Sequence, residues 1–208
     1  MILIGQYDSP FVRRVGIALT LYGLAFEHWP WSVFGEADKL RAFNPLLRVP
    51  VLVLDDGCAL IDSHCILDHI DSLAPPGGAL FPADEPARRE ALKIAALASG
   101  LADKAVSLFY EKRLHAQQSD VWVSRCQAQI SATLAVLEAG RAVKDSLYWF
   151  GDSIGHADIA VAAALRFAGE AHPGLFALND FPALLNHAAR LEATPAFLKI
   201  AQAFKPPA

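Results

Sequence analysis

The chain has 208 residues, of which 54% are hydrophobic and 19% charged. That balance excludes a disordered chain and gives core enough for one large domain or two small ones. The net charge of −4 comes without a basic tract, so no field invites nucleic acid or an anionic membrane surface. In chain order, Met1 to Tyr7 is a short apolar run that reads as a strand and stops at the turn Asp8-Ser9-Pro10. Pro10 suits the first turn of a helix, where its missing N–H costs nothing. Val12, Val15, Ile17, Ala18, Leu19 and Leu21 then recur at helical spacing until Gly23 stops them. Ala25 to Trp31 reads as a second strand and Glu36 to Phe43 as a short helix. Val51–Leu54 and Cys58–Ile61, split by Asp55-Asp56-Gly57, form the clearest hairpin. Ser63 opens another helical pattern through Ile66, Leu67, Ile70 and Leu73.

Pro75-Pro76-Gly77-Gly78, with Pro82 and Pro86, reads as a linker. The expected division is an α/β unit over 1–76, a linker over 77–86, and a helical domain over 87–208. Helices are expected from about Arg88 to His115, Asp120 to Gly140, Gly155 to Ala171, Pro182 to Glu192 and Pro195 to Phe204. In "SIGHADIA" the carboxylate of Asp158 stands three residues after the N-cap Gly155, where it can reach back to the N-cap N–H as half of a capping box. Its expected role is in folding.

Cys58, Cys65 and Cys126 make no CxxC pair and no zinc-type spacing, which fits a reducing compartment. The start Met1-Ile2-Leu3-Ile4 lacks the features of a signal peptide, and no apolar run reaches membrane-spanning length. A cytoplasmic protein is the expectation. The seven histidines have no metal-ligand spacing, so no metal is expected.

Two short stretches carry the chemistry. Pro50 cannot donate to a sheet ladder and belongs at a strand's first residue or an edge. With a cis Val49–Pro50 bond, the backbone groups of Val49 would face an open rim and could pair with an extended peptide; with a trans bond the proline only protects an edge. Ser63 suits the N-cap of the helix that follows. The same helix start offers N–H groups and a positive dipole end to a carboxylate, and Asp62 beside it could pair with an ammonium. Together they fit the head of an α-amino acid. Arg13-Arg14 reads as a solvated or ion-paired helix face, and Cys65 as core filling.

With "SPFVRRV" after the first strand, "NPLLRVPVL", "IDSHCILDHI" and "GHADIAVAAAL" in this order, the chain resembles the cytosolic glutathione transferases over residues 1 to 204. It looks most similar to bacterial proteins with an SPF motif, and more distantly to the zeta and omega classes. The resemblance implies a thioredoxin-like N-terminal domain followed by an all-helical bundle domain. It places Ser9 beside the glutathione sulfur, Val49 against the cysteinyl backbone, Pro50 at the family's cis-proline, and Asp62 and Ser63 on the γ-glutamyl head. Asp62 is one methylene shorter than the family's usual Glu, and Gly155 stands where Ser or Thr is usual.

A thiol near its free pKa of about 8.5 is mostly protonated at neutral pH, and a hydroxyl donor at Ser9 would favour the thiolate. Ser9 could instead serve only as a helix cap. Tyr7, at the end of the first strand, is the alternative donor. Phe11 is a candidate glutathione contact, and Arg48 a candidate for its glycyl carboxylate. Serine at position 9 cannot form a mixed disulfide, so glutaredoxin-like reduction is not expected. The implied activity conjugates glutathione, as co-substrate, to a small hydrophobic electrophile held between the domains near Tyr110 and Arg113. A zeta-type isomerase and a non-catalytic binding protein are the alternatives. A homodimer, with one protomer's first domain against its partner's helical domain, is also implied.

Overall fold

The computed structural model describes residues 1–206. Its elements are β1 (Ile2–Ile4), α1 (Pro10–Leu21), β2 (Glu27–Trp29), α2 (Ala37–Arg41), β3 (Val51–Val53), β4 (Ala59–Ile61) and α3 (Ser63–Ser72). There follow α4 (Glu85–Leu114), α5 (Asp120–Ala142), α6 (His156–Ala171), a 3₁₀ turn at Leu178–Asp180, α7 (Pro182–Glu192) and α8 (Pro195–Lys199). An N-terminal thioredoxin-like unit is thus joined to a C-terminal helical one. The sheet runs in the order β2-β1-β3-β4. β1 pairs parallel with β2 and antiparallel with β3, and β3 closes the hairpin with β4.

Alternation along β1 explains how the sheet is covered. Leu3 packs with Val12, Val15, Ile66, Leu67 and Ile70 of α1 and α3, whereas its neighbour Ile4 packs on the other face with Leu40 of α2. The first core continues into α6 through Ile159 and Ala162, and into the C-terminal elements through Leu191, Phe197 and Ile200. The helical unit has its own core, where Ala95, Ala98, Leu108, Ile130, Leu134, Val161 and Leu165 fill the space between α4, α5 and α6.

Three expectations are corrected by this packing. Of the two readings of Arg13-Arg14, the solvated face is overturned, since both lie on the buried side of α1, each 2% exposed, while the ion pair holds for Arg13. Arg13 forms a paired contact with Glu192 through Nη1 and through Nη2 at 2.7 Å, and its Nε donates to the Ile200 carbonyl at 2.9 Å. Cys65 is exposed, because it points away from the face that carries Ile66 and Ile70. The last helix ends at Lys199, well short of Phe204. Residues 200–206 run on without helix, tied to other segments: Gln202 Oε1 accepts from Tyr7 N–H at 3.1 Å, and Glu170 of α6 accepts from Phe204 N–H at 3.2 Å.

The capping contact of α6 is present. Asp158, 1% exposed, accepts from the Gly155 N–H at 2.8 Å and from the Trp149 N–H at 2.8 Å. A second buried carboxylate, Asp71 of α3, ties the two units together. It receives the Tyr22 hydroxyl of the α1 end and the N–H groups of Leu80 (2.8 Å) and Phe81 (3.2 Å), with His156 of α6 at 3.3 Å. Burial would raise the Asp71 pKa, but the hydrogen bonds from His156 and Tyr22 outweigh it and hold the carboxyl at about 2.

Candidate active site

Ser9 is the N-cap of α1, in extended conformation (φ −68°, ψ 124°), with Pro10 at the first helical position. Its Oγ accepts from the Val12 N–H at 3.4 Å. The capping role is therefore real, and because Oγ acts in it as the acceptor, the hydroxyl proton stays available to an acceptor in front of the helix. Asp8, next to it, accepts from the Lys205 N–H at 3.0 Å, and burial raises its pKa.

The Val49–Pro50 bond is cis. Pro50 is buried just before β3, while Val49 is half-buried at the rim. Neither the N–H nor the C=O of Val49 has a hydrogen-bond partner among the described residues. Gly5 makes this approach of chain segments possible. It sits at φ 126°, and a Cβ there would lie 2.5 Å from Val12 Cγ2 and 2.8 Å from Val49 Cβ. Only glycine fits between the first strand, α1 and the Val49 loop.

At α3 the structure shifts the expected roles by one residue. The N-cap is Asp62, whose Oδ1 accepts from the His64 N–H at 2.8 Å, and Ser63 is the first helical residue. Asp62 holds φ 68° and ψ 130°, a left-handed conformation that an aspartate adopts only at a cost of about 1–3 kcal/mol. Asp62 is exposed and Ser63 is 3% exposed. Behind them lies Arg14, whose Nη1 donates to Ser99 Oγ of α4 at 2.7 Å and approaches Ser63 Oγ at 3.5 Å. Burial pushes the guanidinium down to about 10, with the charge of Asp62 opposing the shift. Its Nε and Nη2 have no partner among the described residues. A buried cation without a paired acid gives this corner a positive potential. The pattern "VRR" on an otherwise apolar helix was the only signal in the sequence that could have pointed to it.

A cavity of about 770 Å³ opens between the two units. Ser9, Phe11, Arg48 and Val49 all line it, while Pro50, Asp62 and Ser63 lie outside its wall. Tyr7 does not line it either: its ring stacks on His28 at 3.8 Å, and burial raises its hydroxyl pKa to about 12. The remaining wall carries an aromatic group, Trp31, Phe34, Phe109, Tyr110, Phe167 and Phe204, with Phe34 and Tyr110 in edge contact at 5.6 Å. Phe204 stands edge-on to Phe109 (5.1 Å) and Phe167 (5.5 Å). Phe204, where helical spacing predicts the end of the last helix, is a wall of the cavity instead. Among the described residues no cluster of His, Cys, Asp or Glu is grouped to hold a metal ion. No helix among them is long and apolar enough to cross a membrane.

Two family models match the chain, the glutathione S-transferase N-terminal domain over residues 3–78 and its C-terminal domain over 120–190. The GST-like protein YibF of Escherichia coli is 36% identical over 170 residues, covering 80% of this chain and 81% of that protein. A glutathione S-transferase of Methylobacterium radiotolerans, solved with glutathione sulfonate, superposes over the whole chain and 98% of its own, with a TM-score of 0.89 and 29% identity. A glutathione transferase family member of Pseudomonas fluorescens, solved with bound glutathione, does so over the whole chain and 99% of its own, with a TM-score of 0.84 and 32% identity.

Proposed function

We propose that the chain, which belongs to the glutathione S-transferase family, binds glutathione, stabilises its thiolate through Ser9, and conjugates it to a small hydrophobic electrophile. One observation carries the reading: Val49 presents an unpartnered backbone N–H and C=O at the rim of the cavity that Ser9 also lines. An unpaired backbone residue just before a strand, beside an open cavity, suits the backbone of a peptide ligand, by the logic of strand addition. Asp62 and Ser63, with Arg14 behind them, supply a carboxylate for an ammonium and a donor-rich, positive corner for a carboxylate. These are the two charges of a γ-glutamyl head. Arg48 is the cation for the opposite, glycyl end.

In the mechanism, the thiol of bound glutathione lies toward Ser9. The Ser9 hydroxyl donates a hydrogen bond to sulfur, which lowers the cost of losing the thiol proton to solvent. Thiolate sulfur then attacks an electrophilic carbon, forming a C–S bond as the leaving group departs. The aromatic wall of Phe11, Phe34, Phe109 and Phe204 favours an apolar, flat partner and excludes water from the reacting atoms. We also propose a cytoplasmic homodimer; a monomeric mass by light scattering would contradict the dimer.

Calorimetric titration with reduced glutathione, wild type beside Asp62→Ala, tests the site. Saturable binding weakened at least about tenfold by the substitution, the loss of one charge-assisted contact, is the expected result. Absence of binding by the wild type at millimolar ligand would overturn it in favour of a non-catalytic member of the fold.

A further inference from the structure

Arg48 and Asp103 face one another across the cavity, one from the loop before Val49 and the other from α4. The Arg48 backbone is fixed, because its carbonyl accepts from Asn44 Nδ2 at 2.8 Å and Asn44 is buried. Its side chain is not fixed in the same way. Nη2 of Arg48 lies 3.7 Å from Asp103 Oδ1, beyond hydrogen-bond distance, and the two side chains are 66% and 44% exposed. Exposed pairs of this kind hold weakly and exchange readily. Asp103 has a second cation: its Oδ2 lies 3.1 Å from Lys104 Nζ, whose ammonium also sits over the ring of Trp122 at 5.5 Å. The network is therefore asymmetric. If Arg48 departs, Asp103 keeps a counter-charge, whereas no other acid stands within ion-pair distance of Arg48 among the described residues.

We propose that the Arg48–Asp103 pair is an exchangeable bar across the cavity, and that the glycyl carboxylate of glutathione displaces Asp103 from Arg48. The inference rests on the proposed function and deepens it. A peptide whose middle pairs with Val49 and whose γ-glutamyl head lies at Asp62 and Ser63 directs its other end to the Arg48 side of Val49. The incoming carboxylate takes over the guanidinium, and Lys104 retains the displaced acid, so no charge is stranded. Asp103 is thus a positioning residue that acts through Arg48. It competes with the first substrate and, once displaced, no longer spans the chamber meant for the second. The device also favours one order of loading, with glutathione first and the electrophile after it.

The test is calorimetric titration with glutathione and, separately, with its glycyl monoethyl ester, in the wild type, Asp103→Asn, Arg48→Ala and the double variant. Removing the competitor should tighten glutathione about two- to fivefold, the range of one exposed ion pair. The ester, which lacks the exchanging carboxylate, should bind Asp103→Asn as it binds the wild type. In the Arg48→Ala background Asp103→Asn should have no effect, and the gain in the single variant should shrink at high salt. Equal tightening of both ligands would mean a general charge effect and overturn the exchange, as would an unchanged or weakened affinity for glutathione. A wild type that binds neither ligand would overturn the proposed function itself, and this inference with it. Wild-type binding that depends on Asp62 but ignores Asp103 would remove the inference alone. Asp103 is half-buried and its side chain makes no hydrogen bond to the fold among the described residues, so melting temperatures of the variants should match the wild type and keep the comparison free of folding effects.

Discussion

Replacing Asp158 by alanine should destabilise the protein severely, and the cost can be worked from its contacts. The carboxylate accepts from two backbone donors at 2.8 Å, Gly155 at the start of α6 and Trp149 in the preceding loop. Its Oδ1 also lies 3.0 Å from His187 Nε2, off the line of a hydrogen bond, so that contact is electrostatic. Nδ1 of His187 accepts from Arg141 Nε at 3.2 Å, which leaves the ring proton on the side facing Asp158. Alanine orphans both backbone donors, each costing about 1–3 kcal/mol when no water can replace the acceptor. A loss of about 3–4 kcal/mol is then expected, a large part of a typical total of about 5–15 kcal/mol. For a chain of this size the melting temperature should fall by roughly 6–15 °C. Thermal unfolding followed by circular dichroism at neutral pH measures it. Asp158→Asn, which keeps one acceptor but turns an amide group toward the other donor, should lie between. Glutathione binding well below the melting transition should survive, since the residues assigned to it lie on other elements. An alanine variant melting at the wild-type temperature would refute the argument.

Ser9→Ala should raise the thiol pKa of bound glutathione, read by the thiolate absorbance across pH, while Tyr7→Phe leaves it unmoved; the reverse pattern would transfer the role to Tyr7. Gly5→Ala would drive a methyl into Val12 and Val49 at a positive φ, and should cost about 1–3 kcal/mol and weaken glutathione binding together. A variant with normal affinity would show that the Val49 loop can shift without consequence. The folded pKa of Asp71, about 2, lies below its ordinary 3.8, so its contribution is present above about pH 4 and is lost as pH falls toward 2. Asp71→Asn should flatten the melting curve's dependence on pH within that window, and an unchanged acid limb would contradict the assignment.

Helix and strand positions were legible in the sequence wherever periodicity coincided with a local stop signal. Pro10, Gly23, the Asp55-Asp56-Gly57 turn and the Gly155–Asp158 spacing are short-range devices, and each lies where the pattern placed it. The site was legible where it depends on backbone chemistry, as at Val49-Pro50. What could not be read depends on distant partners. Arg13 and Arg14 look like a polar face until Glu192, Ile200 and Ser99, remote in sequence, are packed against them. The cap of α3 was displaced by one residue because Asp62 takes a left-handed conformation that propensity disfavours. Phe204 continued a helical spacing, but its backbone is held by Glu170 and its ring by Phe109 and Phe167, contacts that no local pattern contains.

The burial of Arg13 against Glu192 and the Ile200 carbonyl sets a schedule for biosynthesis. A ribosome adding about 5–20 residues per second delivers Glu192 roughly 10–40 s after the arginine it must neutralise. Until then the first helix carries a cation on its core-facing side, and the nascent N-terminal unit has no finished surface to close upon. The unit that emerges first is therefore completed last. Chaperone dependence and sensitivity to stalling should concentrate in nascent chains that lack residues 192–200, even though everything assigned to glutathione is already outside the ribosome.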